Sequence, residues 1–138
     1  MSSNQWKVHF KSAPSEVYRA LSTPLGRSRF WADSAKEADG LIHFVLPGDR
    51  IDDSRIERAV KDQLYAVRYF GRLLTFALTP DPETNGTDLT LTDQSPAATD
   101  ADSATWVSLL LRLKASVDFG VDLRNHDNSR TTNYADGT

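Results

Sequence analysis

The sequence predicts an α+β domain: a first strand, two short helices, a set of antiparallel strands, and a long C-terminal helix packed across the sheet. Three patterns carry the prediction. The chain opens on a period-two alternation, continues through short strands separated by tight turns, and closes on a wide helical stripe of apolar residues after position 105.

In "QWKVHFK", Trp6, Val8 and Phe10 share one face while Lys7, His9 and Lys11 share the other, which is strand periodicity. Ser12 as an N-cap and Pro14 near the first turn then announce a helix, with Val17, Ala20 and Leu21 at helical spacing. Thr23-Pro24 repeats the cap-then-proline signal, so a second short helix is expected to carry Leu25, Phe30 and Trp31. From Gly40 to Asp93, "GLIHFVL", "SRIERAV", "QLYAVRYF", "RLLTFAL" and "TDLTLTD" read as five strands. Connections this short cannot make parallel crossovers, so the strands are antiparallel. A polar loop, "QSPAATDADSA", precedes Trp106, where the longest helical pattern begins. Trp106, Leu109, Leu110, Leu113, Val117 and Val121 form its apolar stripe, and Arg112, Asp118 and Asp122 fall outside it. Asn125 is the expected left-handed end of that helix. Residues 1–124 are therefore read as a single domain and 125–138 as a loose polar tail.

Composition narrows the function. With 16 Lys plus Arg against 19 Asp plus Glu, the net charge of −3 offers no basic footprint for nucleic acid and no polybasic membrane anchor. The absence of cysteine excludes disulfides, thiolate zinc ligation and cysteine catalysis. No apolar run has signal-peptide character or membrane-spanning length, so a cytoplasmic location without a membrane partner is expected.

Near the C-terminus, Asp118-Phe119-Gly120 spells the magnesium-binding triplet of a protein kinase, and His126-Asp127 spells two members of a catalytic triad. A kinase aspartate needs a loop facing a nucleotide, together with a glycine-rich loop, a strand lysine and a catalytic loop. None of these is present, and Asp118 falls on the polar side of a helix, where alanine should cost no more than about 0.5 kcal/mol. Arg124 and His126 suit the negative end of a helix, and no serine sits on an identifiable nucleophile turn. His9 is expected on the solvent side of its strand. His43 alternates with Ile42 and Phe44 on a strand apolar on both faces, which favours a hydrogen-bonded structural histidine. Three dispersed histidines make no metal site, and no cofactor is implied.

The order of elements, together with "SAPSEVYRALSTPLGRSRFWAD", "ERAVKDQLYAVRYFG", "NGTDLTLTD" and "WVSLLLRLKASVDFGVDLRNHD", resembles the START-related superfamily that includes the birch pollen allergen, polyketide cyclases and lipid-transfer domains. Within it the chain is most similar to homologues of the activator of the heat-shock chaperone ATPase. The resemblance spans nearly the whole chain and implies a helix-grip fold, in which a curved sheet wraps the C-terminal helix around an apolar cavity. The same scaffold hosts carriers, cyclases and co-chaperones, so fold does not decide function.

Given that geometry, alternation nominates the interior. Leu74, Phe76 and Leu78 face inward on one strand and Leu89 and Leu91 on the next. On "QLYAVRYF" the inward set is either Tyr65, Val67 and Tyr69 or Leu64, Ala66, Arg68 and Phe70, and the tyrosine set is preferred. The matching set on "SRIERAV" is Ile56, Arg58 and Val60, which brings a guanidinium toward the cavity. The expected ligand-binding residues are Trp31 at the mouth, Arg58, Tyr69, Phe76, Trp106, Leu110, Leu113 and Val117. A buried arginine needs an anionic partner, either a protein carboxylate such as Glu57 or Asp93 or the acidic group of a ligand. The expected function is binding of a small, largely apolar ligand, possible acidic or aromatic character included. The alternatives are a cyclase or hydrolase using the same cavity through a tyrosine, His43 or Arg58, and a co-regulator touching a chaperone through its surface.

Overall fold

The computed structural model describes residues 4–94 and 100–137. Seven strands form one antiparallel sheet: β1 (Asn4–Phe10), β2 (Ser34–Ala38), β3 (Leu41–Leu46), β4 (Arg50–Val60), β5 (Leu64–Tyr69), β6 (Arg72–Pro80) and β7 (Thr87–Asp93). The helices α1 (Pro14–Ser22) and α2 (Pro24–Ser28) lie between β1 and β2, and α3 (Asp100–Phe119) follows β7. The spatial order is β1-β7-β6-β5-β4-β3-β2. The helical pair therefore carries the chain from one edge of the sheet to the other, and a six-strand meander brings it back to close on β1. The curved sheet is covered by α3 on its inner face.

The inner faces follow the alternation. Tyr65, Val67 and Tyr69 of β5, Leu74, Phe76 and Leu78 of β6, and Leu89 and Leu91 of β7 are all buried, and they meet Trp106, Leu109, Leu110 and Leu113 of α3. Thr23 caps α2 as its sequence announced, accepting the Gly26 N–H on its hydroxyl. A side chain at Gly26 would place a Cβ 2.6 Å from the Ala20 backbone, so glycine is what lets α2 fold tightly against α1.

Several expectations are corrected. A sixth strand follows the helices: β2 lies on the edge of the sheet and buries only Ala35 of its five residues, so it has no alternation to read. Ser12 does not cap α1, whose N-cap is Ala13. Instead the Ser12 carbonyl accepts from Thr87 Oγ1 at 2.8 Å and its N–H donates to Asp118. Helix α3 begins at Asp100, before Trp106, and the segment 95–99 of the expected polar loop lies outside the described residues. The helix also ends early. Gly120 turns out of it at φ 65°, in the left-handed region that favours glycine, so Val121 leaves the stripe and is 46% exposed. Asn125 therefore does not end the helix. Within residues 125–137, Asn125 bonds to Arg130 and Asp136, and the Ala135 and Gly137 carbonyls accept from Ser108 and Arg112 of α3.

Leu113 is fully buried between α3 and the sheet. Leu113→Ala should cost about 2 to 5 kcal/mol in chemical denaturation. A cost below about 1 kcal/mol would mean that it lines an open space instead of a packed core.

Candidate functional site

The interior is built around Trp31, which follows α2 and is 1% exposed. Its ring lies 4.7 Å from Phe44, 5.3 Å from Tyr69 and 5.6 Å from Phe76, centroid to centroid, while Tyr69 lies 6.3 Å from Trp106. These are favourable edge and tilted geometries. Trp31 is thus the centre of an aromatic cluster instead of a cover at its mouth. Among the nominated residues, Trp31, Tyr69, Phe76, Trp106, Leu110 and Leu113 are buried together, and Val117 packs partly buried against them.

Arg58 does not join them. It is exposed, because the β4–β5 register shifts between Ile56 and Arg58: Ile56 pairs with Val67 and Arg58 with the next residue, Ala66. Glu57 is the extra residue of a β-bulge, and the bulge turns Arg58 to the outer face. Neither carboxylate considered as its partner binds it. Glu57 lies 3.9 Å from Arg68, and Asp93 is held by Arg72 and Trp106 at 2.9 Å each.

The interior guanidinium groups come from arginines that the sequence did not nominate. Arg27, Arg112 and Arg124 are 0%, 3% and 5% exposed, and all three donate to the passage leading from α1 to β2. Arg27 reaches the Leu21 carbonyl at 3.1 Å, the Ala35 carbonyl at 2.9 Å, the Tyr65 hydroxyl at 3.3 Å and Glu37 at 3.2 Å. Arg124 reaches the Ala32 carbonyl at 3.0 Å and Asp33 at 2.5 Å. Arg112 donates to the Phe30 carbonyl at 2.8 Å, the Ser108 hydroxyl at 2.5 Å and the Gly137 carbonyl at 3.2 Å. All three Arg112 partners are neutral, and among the described residues no carboxylate lies within ion-pair distance of it. Burial, and then the positive charge of Arg124, lower its pKa from 12.5 to about 10. The helical wheel sets Arg112 on the outer side of α3. It is covered instead by Phe30 and by the returning C-terminal segment, and it donates to Ser108 one turn earlier.

The C-terminal motifs are structural in this geometry. Asp118 accepts the N–H groups of Lys11 and Ser12 at 2.9 and 3.1 Å, which ties the end of α3 to the β1–α1 connection. His126 bonds to Asp122 at 2.8 Å, and Asp127 accepts from Ser129 and Arg130, hydrogen bonds that lower its pKa to about 2. His43 is on the solvent face, bonded to Asp53 at 2.6 Å. His9, Asp81 and Asp88 bring potential ligand atoms within 4.8 Å of one another, a grouping that the sequence did not suggest because its members lie on different strands and a loop. An open pocket of about 350 Å³ lies against Arg29, Ser116, Gly120, Val121 and Asp122, and no member of the aromatic cluster lines it.

No protein-family model matches the sequence, and no curated protein matches it. Solved structures do. The Aha1 dimer from Colwellia psychrerythraea superposes with a TM-score of 0.75 at 20% identity, covering 87% of this chain and 98% of that one. Protein SSP2350 from Staphylococcus saprophyticus gives 0.77 at 23% identity, covering 92% and 99%. Protein MLL2253 from Mesorhizobium loti gives 0.70 at 18% identity, covering 85% and 97%. The chain has the helix-grip fold. At these identities the likeness is one of fold. No helix among the described residues is long and apolar enough to cross a membrane.

Two measurements check this geometry. Asp118→Ala should cost about 1 to 3 kcal/mol, two hydrogen bonds at their usual net worth of roughly 0.5 to 1.5 kcal/mol each, instead of the small change expected of an aspartate without partners. Burial pushes the Tyr65 and Tyr69 phenols up from 10.0 to about 12. Because these folded-state values lie above the unfolded one, their contribution to stability is complete below pH 10 and is lost as pH rises toward about 12. Ultraviolet titration should find both phenols protonated until that window, with alkaline unfolding inside it.

Proposed function

We propose that the domain binds a small, largely apolar ligand carrying an acidic group between the sheet and α3. The observation that carries this reading is Arg112, a buried guanidinium beside the aromatic cluster whose described hydrogen-bond partners are all neutral. Selective pockets are apolar with a few placed polar groups, and a fixed cation is the group that orients an acid. In this reading the acid takes the place of the Gly137 carbonyl at Arg112, within the electrostatic reach of the Tyr69 phenol. The body of the ligand lies against Trp31, Phe76, Trp106, Leu110, Leu113 and Val117. Trp31 has to shift to admit it, since its ring contacts fill the centre of the cluster. Arg58 has no part in the site because it lies on the other face.

A second reading, contact with a chaperone through the outer surface, draws support from the fold shared with an Aha1 protein. It predicts no dependence on Arg112.

Calorimetric titration with decanoate and with decanamide separates the readings. Arg112→Met should weaken decanoate about tenfold more than decanamide, because only the acid uses the charge. Arg112→Lys, which keeps the charge, should retain part of the preference. Equal losses for the two ligands, or no binding of either by the unaltered protein, would overturn the ligand reading.

A further inference from the structure

The outer face of the sheet carries a band that neither the fold nor the interior site explains. Strand register places Leu41, Arg55, Arg68 and Leu73 side by side on β3, β4, β5 and β6. Arg55 and Arg68 are directly opposite one another, and both are exposed. Leu41 is 40% exposed at one end of the row, and Leu73 is half-buried at the other. Like charges set opposite on neighbouring strands destabilise a sheet. A pair retained there needs a counter-charge.

The protein itself supplies little of one. Glu57 stands 3.9 Å from the Arg68 guanidinium, and Asp53, two residues before Arg55 on the same face, is engaged by His43 at 2.6 Å. The bulge at Glu57 adds a third arginine, because it turns Arg58 to this face three residues after Arg55. Among the described residues neither the Arg55 nor the Arg58 side chain has a hydrogen-bond or ion-pair partner. A cationic centre flanked by apolar side chains therefore lies on the open surface of a chain whose net charge is −3.

We propose that this band is a docking surface for an acidic segment of another protein. Its carboxylates pair with Arg55 and Arg68, Arg58 extends the cationic centre, and its apolar side chains cover Leu41 and Leu73. Arginine among apolar residues is the composition of protein interface centres, and its planar fork recognises carboxylates in pairs. Strands spaced about 4.7 to 4.9 Å apart set the row over roughly 14 Å, a length that a short extended peptide spans. The absence of exposed aromatic platforms in the row favours a peptide over single-stranded nucleic acid, which is held by base stacking. The surface lies on the opposite side of the sheet from Arg112, so its failure and that of the interior site are distinguishable.

The test is a fluorescence titration with a labelled soluble peptide containing the sequence Leu-Glu-Glu-Leu, its Leu-Lys-Lys-Leu counterpart, and a single-stranded oligonucleotide. The acidic peptide should bind, the basic one should not, and added salt should weaken the complex. The double substitution Arg55→Glu and Arg68→Glu should weaken binding about tenfold or more, whereas Arg19→Glu, an exposed charge change on α1, should leave it unchanged. Circular dichroism checks that each variant is folded, and Arg58→Ala, which leaves the opposed pair intact, should weaken binding by a smaller factor. No binding of the acidic peptide, equal losses in the Arg19 variant, or tighter binding of the oligonucleotide would overturn the proposal.

Discussion

The passage from α1 to β2, on which the aromatic cluster is built, rests on guanidinium groups hydrogen-bonded to backbone carbonyls. The passage from α1 through α2 to β2 buries Phe30, Trp31 and Ala32 without the ladder of a strand or a long helix to satisfy its polar backbone. Buried carbonyls without donors are costly, and the chain answers with arginine, whose five N–H groups serve several acceptors at once. Leu21, Phe30, Ala32 and Ala35 are the acceptors, served by Arg27, Arg112 and Arg124. One of these donors is local, one comes from α3, and one comes from the segment after it. Two remote parts of the chain and one local residue thus converge on a few residues of backbone.

This arrangement separates the rigid from the replaceable. The backbone around Trp31 is held by Arg112 and Arg124 from outside the aromatic cluster, while the indole itself is held by ring contacts with Phe30, Phe44, Tyr69 and Phe76 and by a side-chain hydrogen bond with Tyr69. Ring contacts are worth about 0.5 to 1.5 kcal/mol beyond burial, less than the cost of leaving a buried guanidinium without its partners. A ligand that displaces the indole therefore competes with contacts of its own kind. The frame that presents Arg112 stays in place.

Much of this fold was legible because its strongest signals are periodic. Alternation oriented β5, β6 and β7 correctly, and the Thr23-Pro24 pair located α2, since both depend on neighbouring residues alone. The failures share a cause. The β4 bulge belongs to a pair of strands and not to either sequence, so Arg58 was assigned to the wrong face. The burial of Arg112 depends on Phe30, 82 residues away, and on the returning segment near Gly137, neither of which a helical wheel can include. Asp118 reads as an exposed helical carboxylate until β1 is brought against the end of α3. The edge strand β2 was silent because it buries a single residue. Aromatic and aliphatic members of the candidate site were readable from pattern, whereas its charged member required tertiary structure.

The bulge at Glu57 also bears on how this sheet tolerates changes in chain length. Ile56 and Arg58 already pair with adjacent residues of β5, so a chain lacking position 57 would keep the first facing in and the second facing out. A deletion within the regularly paired part of β5 or β6 would instead exchange the faces of every residue beyond it. Among related sequences, a one-residue gap in β4 is therefore expected at this position, where alignment against relatives without the bulge can absorb the difference without disturbing the core.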